Sequence, residues 1–257
     1  MQLINRKYKL YEKIGQGCFG KVFKGENIRT KEAVAIKIEP ISDNGAFLLK
    51  NETIFYEYLK GNDFVPKIKW FGKDETNYFM VMEYLNNPLP SLKNNFSHDS
   101  YFNIIKQLFL ILESIHNKGL VHRDIKPDNF LMREDKIIII DFGFCKSYLK
   151  DDIHNDMNEN EHFIGSMDYA SLNIHNHKTY SRRDDLESVC YLLYFILNGA
   201  LPWNGKTESE IINMKEHFHE ISNCKKLTML WKKIRSLTFK ETPNYHLLSH
   251  IVNIELV

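Results

Sequence analysis

Asp124, Lys126 and Asn129 stand within the string His122-Arg123-Asp124-Ile125-Lys126-Pro127-Asp128-Asn129. A carboxylate and an amide five residues apart can divide labour: one orients a hydroxyl, the other lends its oxygen to a metal. Lys126 adds positive charge where a phosphoryl group in transit gathers negative charge. A solvated charged loop is the plain alternative, and the whole string weighs against it. Asp141-Phe142-Gly143 follows twelve residues after Asn129, at the end of the apolar run 137–140. An acid at the mouth of a buried strand is a natural ligand for Mg2+, which takes hard oxygen donors.

Two earlier segments join this set. Gly15-Gln16-Gly17-Cys18-Phe19-Gly20-Lys21-Val22 fits G-x-G-x-x-G-x-V. Alone it could be a turn or a dinucleotide fingerprint. Strand character follows it, however, whereas a dinucleotide fingerprint opens a helix. A glycine loop between strands suits a flap over phosphates, because backbone N–H groups can then approach the anion. Val34-Ala35-Ile36-Lys37 places a lysine on an apolar strand. Most such lysines snorkel to water. Here Glu52 shares a helical stripe with Leu48, Phe55 and Leu59, while Glu57 points the opposite way. A buried acid needs a partner, and Lys37 would supply it and aim its ammonium at a phosphate oxygen.

The elements that must position these groups change character near residue 86. Strands are expected over 11–14, 22–24 and 33–38, a helix over 46–59, and strands again within 66–84. Past Asn86-Asn87-Pro88 the periodicity is helical. Ile104, Leu108, Ile111 and Ile115 mark one helix, stopped by Gly119. The run 184–197 reads as a helix buried on all sides and ended by Asn198-Gly199. Leu227, Leu230, Trp231, Ile234 and Leu237 mark a last amphipathic helix. The expected class is α+β, with a small strand-rich lobe carrying one helix and a larger, mainly helical lobe.

The 257 residues carry 34 Lys+Arg against 33 Asp+Glu, a net charge of +1, so a nucleic-acid-coating protein is not expected. Apolar residues make up 43%, enough for a packed core. Cys18, Cys145, Cys190 and Cys224 lie far apart without a CxxC pair, which favours a reduced, intracellular protein in cytoplasm or nucleus. Eleven histidines show no HExxH, so zinc is not expected. The longest apolar run, 189–197, is nine residues, too short for a membrane span, and Met1–Leu10 lacks the apolar core of a signal peptide. A monomer is expected.

Together the motifs resemble the protein-kinase signature set. The finer resemblance is to the casein kinase 1 family, carried by HRDIKPDNFLM (122–132), YAS (169–171), SRRDDLES (181–188) and LPWNG (201–205), with Ser171-Leu172-Asn173 where most kinases read Ala-Pro-Glu. The resemblance implies one kinase domain over 1–257, with lobes of about 1–85 and 86–257, that transfers the γ-phosphate of ATP to serine or threonine of protein substrates. A catalytically weak kinase-fold scaffold is the alternative. It also implies site residues: Asp124, Lys126 and Lys37 for catalysis, with Asn129 and Asp141 for Mg2+. Ile14, Gly15, Gly17, Gly20, Val22, Ala35, Lys37, Glu52, Met82 (the gatekeeper), Glu83 and Leu85 would bind ATP. Asp185 would brace the catalytic loop.

Several positions depart from that family. Asp168 replaces an arginine in the family's Gly-Thr-Ala-Arg-Tyr-Ala-Ser, leaving Arg182 and Arg183 as the nearby cations that could hold an anion. Its basic stretch after Leu-Pro-Trp-x-Gly is here 206–220, with Glu208, Glu210, Glu216 and Glu220. Cys190 stands where many kinases have glycine, which bears on packing. Cys18 and Cys145 could face the nucleotide, although small apolar fillers are the commoner role of free cysteines. Phe144, by resemblance, goes with serine over threonine as acceptor. The six basic residues of 225–240, with no acid, read as a solvated face over a packed stripe.

Overall fold

The computed structural model describes residues 3–17, 20–41, 48–89, 98–221 and 224–253. The chain divides into two compact units, the first comprising Met1–Asn87 with Leu131–Gly143 and the second Pro88–Phe130 with Phe144–Val257. The strand-rich sheet of the one and the helices of the other constitute the two-lobed kinase fold.

In the first unit, β1 (Tyr8–Gly17), β2 (Gly20–Asn27), β3 (Ala33–Pro40), β4 (Ile68–Lys73) and β5 (Asn77–Glu83) form an antiparallel sheet in the order β1-β2-β3-β5-β4. β3 is central, so both faces of Val34-Ala35-Ile36-Lys37 are covered. Tyr8, Val34, Ile36 and Val81 form the core of the sheet, flanked by Ile4, Leu10, Ile38 and Trp70. Gly20 turns the chain from β1 into β2 at φ +146°, and a Cβ there would lie 2.2 Å from the Ile38 carbonyl oxygen. No other residue fits without moving backbone.

The helix α1 (Leu48–Tyr58) packs on β5. Its buried face is Leu49, Glu52, Thr53 and Tyr56, with Leu48 and Phe55 only half-buried. The apolar stripe through Leu48 and Phe55 is therefore rotated from the expected one. Glu39 in β3 contributes to this setting, because its Oε2 accepts the Leu49 N–H at 2.7 Å. The strand Lys136–Ile139 is buried through its three isoleucines and delivers Asp141.

In the second unit, α2 (His98–His116) buries Ile104, Leu108, Ile111 and Ile115, and Gly119 at φ +74° turns the chain beyond its end. Then follow α3 (Leu172–His175), α4 (Arg182–Asn198), α5 (Glu208–Glu216), α6 (Phe218–Ile221), α7 (Lys225–Arg235) and α8 (Tyr245–Asn253). α4 is the buried helix, with Leu186, Val189, Cys190, Tyr191, Leu192 and Leu193 all inaccessible. A capping box of Ser181 and Asp184 starts it, and Gly199 in the left-handed region ends it. Tyr191 meets Trp203 and Phe218 edge-on at 5.0 and 5.4 Å. α7 buries Leu227, Leu230, Trp231 and Ile234 while Lys225, Lys232, Lys233 and Arg235 face water.

That helix is not the last. α8 packs against both α2 and α7. Its apolar positions, Leu247, Leu248, Ile251 and Val252, span only a short stretch, and Asn244 caps its start by accepting the Leu247 N–H on Oδ1 at 2.9 Å. No described helix is long and apolar enough to cross a membrane.

Candidate active site

Lys37 lies midway along β3, opposite Val22 on one side and Met80 on the other. Its Nζ is 2.7 Å from Glu52 Oε2 and 2.9 Å from Asp141 Oδ1. Burial alone would lower the lysine's pKa, but the two carboxylates outweigh it and hold the ammonium above its ordinary range. Glu52 is 1% exposed, so neither member of that pair can be removed cheaply. Asp141 sits just beyond the Lys136–Ile139 strand at φ +65°, and its N–H donates to Tyr56 Oη at 3.0 Å. The Phe142 ring is buried edge-on to Tyr56 at 5.0 Å. One helix face thus holds Lys37 through Glu52 and Asp141 through Tyr56, four residues apart. Tyr56 is absent from the sequence expectations, and its position one turn beyond Glu52 is the signal that could have found it.

The other first-unit residues lie along the sheet. Ala35 and Met82 are buried cross-strand partners. Glu83 ends β5 with its carboxylate on Arg133 and on the Lys67 N–H, and half-buried Leu85 follows. Ile14 is exposed in β1, and Gly15 and Gly17 pair with Val22 and Gly20 of β2. A Cβ on Gly15 would come no closer than 3.7 Å to Val22, and one on Gly17 would meet nothing within 4 Å. The protein's own packing does not demand glycine at these two sites, and they leave room for a bulky anion against the backbone. Cys18 and Phe19 lie outside the described residues.

In the second unit, Asp124 is 3% exposed and surrounded by donors. Lys126 Nζ lies 2.7 Å from its Oδ2, and Ser166 Oγ donates to its Oδ1 at 2.7 Å. Lys126 Nζ also donates to Ser166 Oγ at 3.0 Å, closing a triangle. Asn129 Nδ2 donates to the Asp124 carbonyl at 2.8 Å and to its Oδ2 at 3.1 Å, which turns the amide oxygen away from Asp124. Ser166 was not among the expected site residues. It is reached across some forty residues of chain, and only its place after Gly165 marks it. Gly165 has φ +109°, and a Cβ there would lie 2.5 Å from the Arg123 carbonyl oxygen, so glycine alone lets this loop close on the string 122–129.

Asp185, wholly buried on α4, holds that string from behind. Its Oδ2 accepts the His122 N–H at 2.8 Å and meets His116 Nε2 at 3.0 Å, while Oδ1 accepts the Arg123 N–H and the Tyr180 hydroxyl, each at 3.0 Å. Burial would raise its pKa, but the hydrogen bond and charge of His116, with His122, bring it below the ordinary carboxylate value. Arg123 takes φ +70° within this frame.

A family model of the protein kinase domain matches residues 8–254. This chain belongs to the protein kinase family. Membership implies protein substrates, and ATP used with a divalent metal. The residues present fit such a metal. Among the described residues no group of three or more His, Cys, Asp or Glu could hold an ion alone. Mg2+ does not require one, since it takes one or two protein oxygens together with water and substrate phosphates. The Asn129 amide in the second unit and the Asp141 carboxylate in the first each offer an oxygen ligand of that kind.

One expectation about the kinase is corrected. Arg182 and Arg183 are not poised for an anion. Arg182 is buried, with Nη1 on Tyr148 Oη and Thr242 Oγ1 and Nη2 on the Lys240 carbonyl, and Arg183 donates to the Leu237 carbonyl. The C-terminal segment needed those donors for its own carbonyls. Cys145 is buried, as the filler role favoured from the sequence requires, and burial pushes its thiol pKa far up. Glu208, Glu210 and Glu216 are exposed on α5, with Glu210 completing a capping box on Thr207.

Proposed function

We propose that this kinase is catalytically active on serine and threonine and is of the casein kinase 1 type, in a reduced intracellular setting. The observation that carries the activity is the triangle of Asp124, Lys126 and Ser166, with the Asn129 amide on the same carboxylate. It holds an anionic acceptor and a cation within hydrogen-bond reach of one another, which phosphoryl transfer to a hydroxyl requires.

In this reading Asp124 accepts the proton of the substrate hydroxyl. Lys126 stands beside it to steady the γ-phosphate, and Lys37, fixed by Glu52, holds the α- and β-phosphates. The glycines of β1 and β2 lie along the phosphates, with Ile14, Val22, Ala35, Met82, Glu83 and Leu85 about the base. Asn129 and Asp141 hold Mg2+, which neutralises phosphate charge when bound. Lys126, the SRRDDLES segment and Ser171-Leu172-Asn173 support the serine/threonine and casein kinase 1 assignments, because tyrosine kinases usually lack that lysine. Phe144 favours serine.

The test is phosphotransfer from ATP with Mg2+ to a degenerate peptide library, with sites read by mass spectrometry. Phosphoserine in excess of phosphothreonine is expected, and transfer should stop when the metal is chelated. Phosphotyrosine alone, or no transfer, overturns the proposal.

A further inference from the structure

Beneath the loop that carries Ser166 lies a lysine the kinase reading leaves unused. Lys215, near the end of α5, is 0% exposed. A buried ammonium is tolerated only where its protons are taken up. Here they go to the Met167 carbonyl at 2.8 Å and the Ala170 carbonyl at 2.7 Å, while His175 Nε2 stands 3.1 Å from the ammonium and 3.2 Å from the Met167 carbonyl. The ring faces of Tyr191 and Trp203 lie 4.9 and 5.3 Å away, completing a cation-binding cage. Trp203 Nε1 donates to the Asp168 carbonyl at 2.9 Å, so three carbonyls of one short loop are gripped from the same side.

That loop is a tight turn. The N–H groups of Tyr169 and Ala170 both donate to the Ser166 carbonyl at 2.9 Å. Holding Met167 and Ala170 therefore holds the turn whose first residue, Ser166, touches Asp124 and Lys126. Beyond it, Ser171 Oγ is tied to Asp184 at 2.6 Å.

We propose that Lys215 is the positioning residue of this loop, its ammonium clamping Met167 and Ala170 so that Ser166 is presented to Asp124 and Lys126. The catalytic part of this proposal rests on the kinase reading. The clamp needs the proton, since a neutral amine has one donor fewer and no charge for the rings and carbonyls.

The groups facing Lys215 are Asp168 of the loop, His175 of α3, Glu187 and Tyr191 of α4, and Glu208 of α5, which reaches it through His175. Burial lowers the Lys215 pKa from 10.5 to about 7, against the opposing pull of Glu187 and Asp168. Burial and the Lys215 charge also lower the His175 pKa, which favours its neutral form. The sign follows. Below about 7 the clamp is charged and closed, and above it the proton leaves and the loop slackens. The unfolded chain keeps its proton to about 10.5, so this group makes the folded state more stable, not less, as pH rises between the two values. An alkaline loss of activity from this source is therefore not unfolding.

Lys215→Met tests this, with a degenerate serine peptide pool as substrate. At about pH 6, kcat/KM for peptide should fall about tenfold, while KM for ATP stays within about twofold. The wild-type profile of kcat/KM should show an alkaline limb near pH 7 that the variant lacks. Amide hydrogen exchange over 166–171, corrected for intrinsic rate, should be faster in the variant, and wild type should approach it at about pH 9. A folded Lys215→Met with wild-type peptide kcat/KM and wild-type exchange overturns the proposal. Should the variant fail to fold, the wild-type exchange series decides: protection of 166–171 unchanged across that pH range overturns it. A wild type that transfers no phosphate refutes the kinase reading instead, and the exchange measurement still judges the clamp.

Discussion

Lys37 has two carboxylate partners, and they differ in kind. Glu52 is sealed in, whereas the Asp141 side chain is about a quarter exposed. Lys37→Met and Asp124→Asn should each lower kcat by at least ~100-fold in a folded protein, because in the proposed mechanism each removes a group from the reacting phosphate or hydroxyl. Only Lys37→Met strands a buried carboxylate, so its midpoint of thermal unfolding should fall by more than that of Asp124→Asn. Adding Glu52→Gln to Lys37→Met should then restore stability without restoring activity. Equal melting of the two single variants would refute the buried-pair account. Ser166→Ala removes the hydroxyl that bridges Asp124 and Lys126, and about a tenfold loss of kcat is expected, the worth of one or two hydrogen bonds. Ser166→Thr keeps the hydroxyl and should keep most of the activity. A Ser166→Ala variant with full kcat would remove that hydroxyl from the site. That Lys37 meets Glu52 and that Asp124, Lys126 and Asn129 gather at one carboxylate was legible because those residues lie in short strings or on one helical stripe. Ser166 and Tyr56 were not, because a hydroxyl announces nothing until folding brings it to a charged partner.

At the scale of elements, the N-terminus of α4 does the most positioning. Asp184 is fully buried and accepts from Ser171 Oγ, the Ser181 N–H and Asn173 Nδ2, while the adjacent Asp185 holds the catalytic string. Asp184→Ala should cost ~2–4 kcal/mol of stability, since it orphans several buried donors at once. Denaturant unfolding would measure this, and a loss below ~1 kcal/mol would show that water or rearrangement satisfies those donors. Long periodic elements such as α2, α4 and α7 could be read from the sequence because they bury a continuous face. α1 could be read as a helix but not in its exact facing, since the Glu39 tie to Leu49 acts across the sheet and has no local period. α8 is the hardest of the longer helices to read, because nine residues give only about two and a half turns of pattern.

For the molecule as a whole, a net charge of +1 conceals an uneven distribution. The stretch 147–168 carries Lys150 alone against Asp151, Asp152, Asp156, Glu159, Glu161 and Asp168. With Arg182 and Arg183 committed to the C-terminal segment, no compensation comes from them. Swapping a cation for Asp168 removes an attraction and adds a repulsion, each worth ~1 kcal/mol at a partly exposed site. A phosphoserine three residues before the acceptor should therefore bring no gain in kcat/KM over serine or lysine there, and Asp168→Arg should create one. A strong phosphoserine preference in the wild type would refute this.

The division of the chain into units has a consequence for how the protein is made. The first unit is not a continuous stretch, because it is completed by Leu131–Gly143. When a ribosome has released Asn87, the five-stranded sheet and α1 are in hand, and Lys37 has Glu52 but not Asp141. Some fifty further residues must be translated before Asp141 emerges, which at about 5–20 residues per second takes several seconds. During that interval Tyr56 lacks the Phe142 ring and the Asp141 N–H that it meets in the finished protein. α2 and the string 122–129 are synthesised in the same interval, so the first unit cannot be finished until about a quarter of the second already exists. A chain ending at Asn87 would therefore carry the lysine and its glutamate but lack the Asp141 carboxylate that completes their ion-pair network.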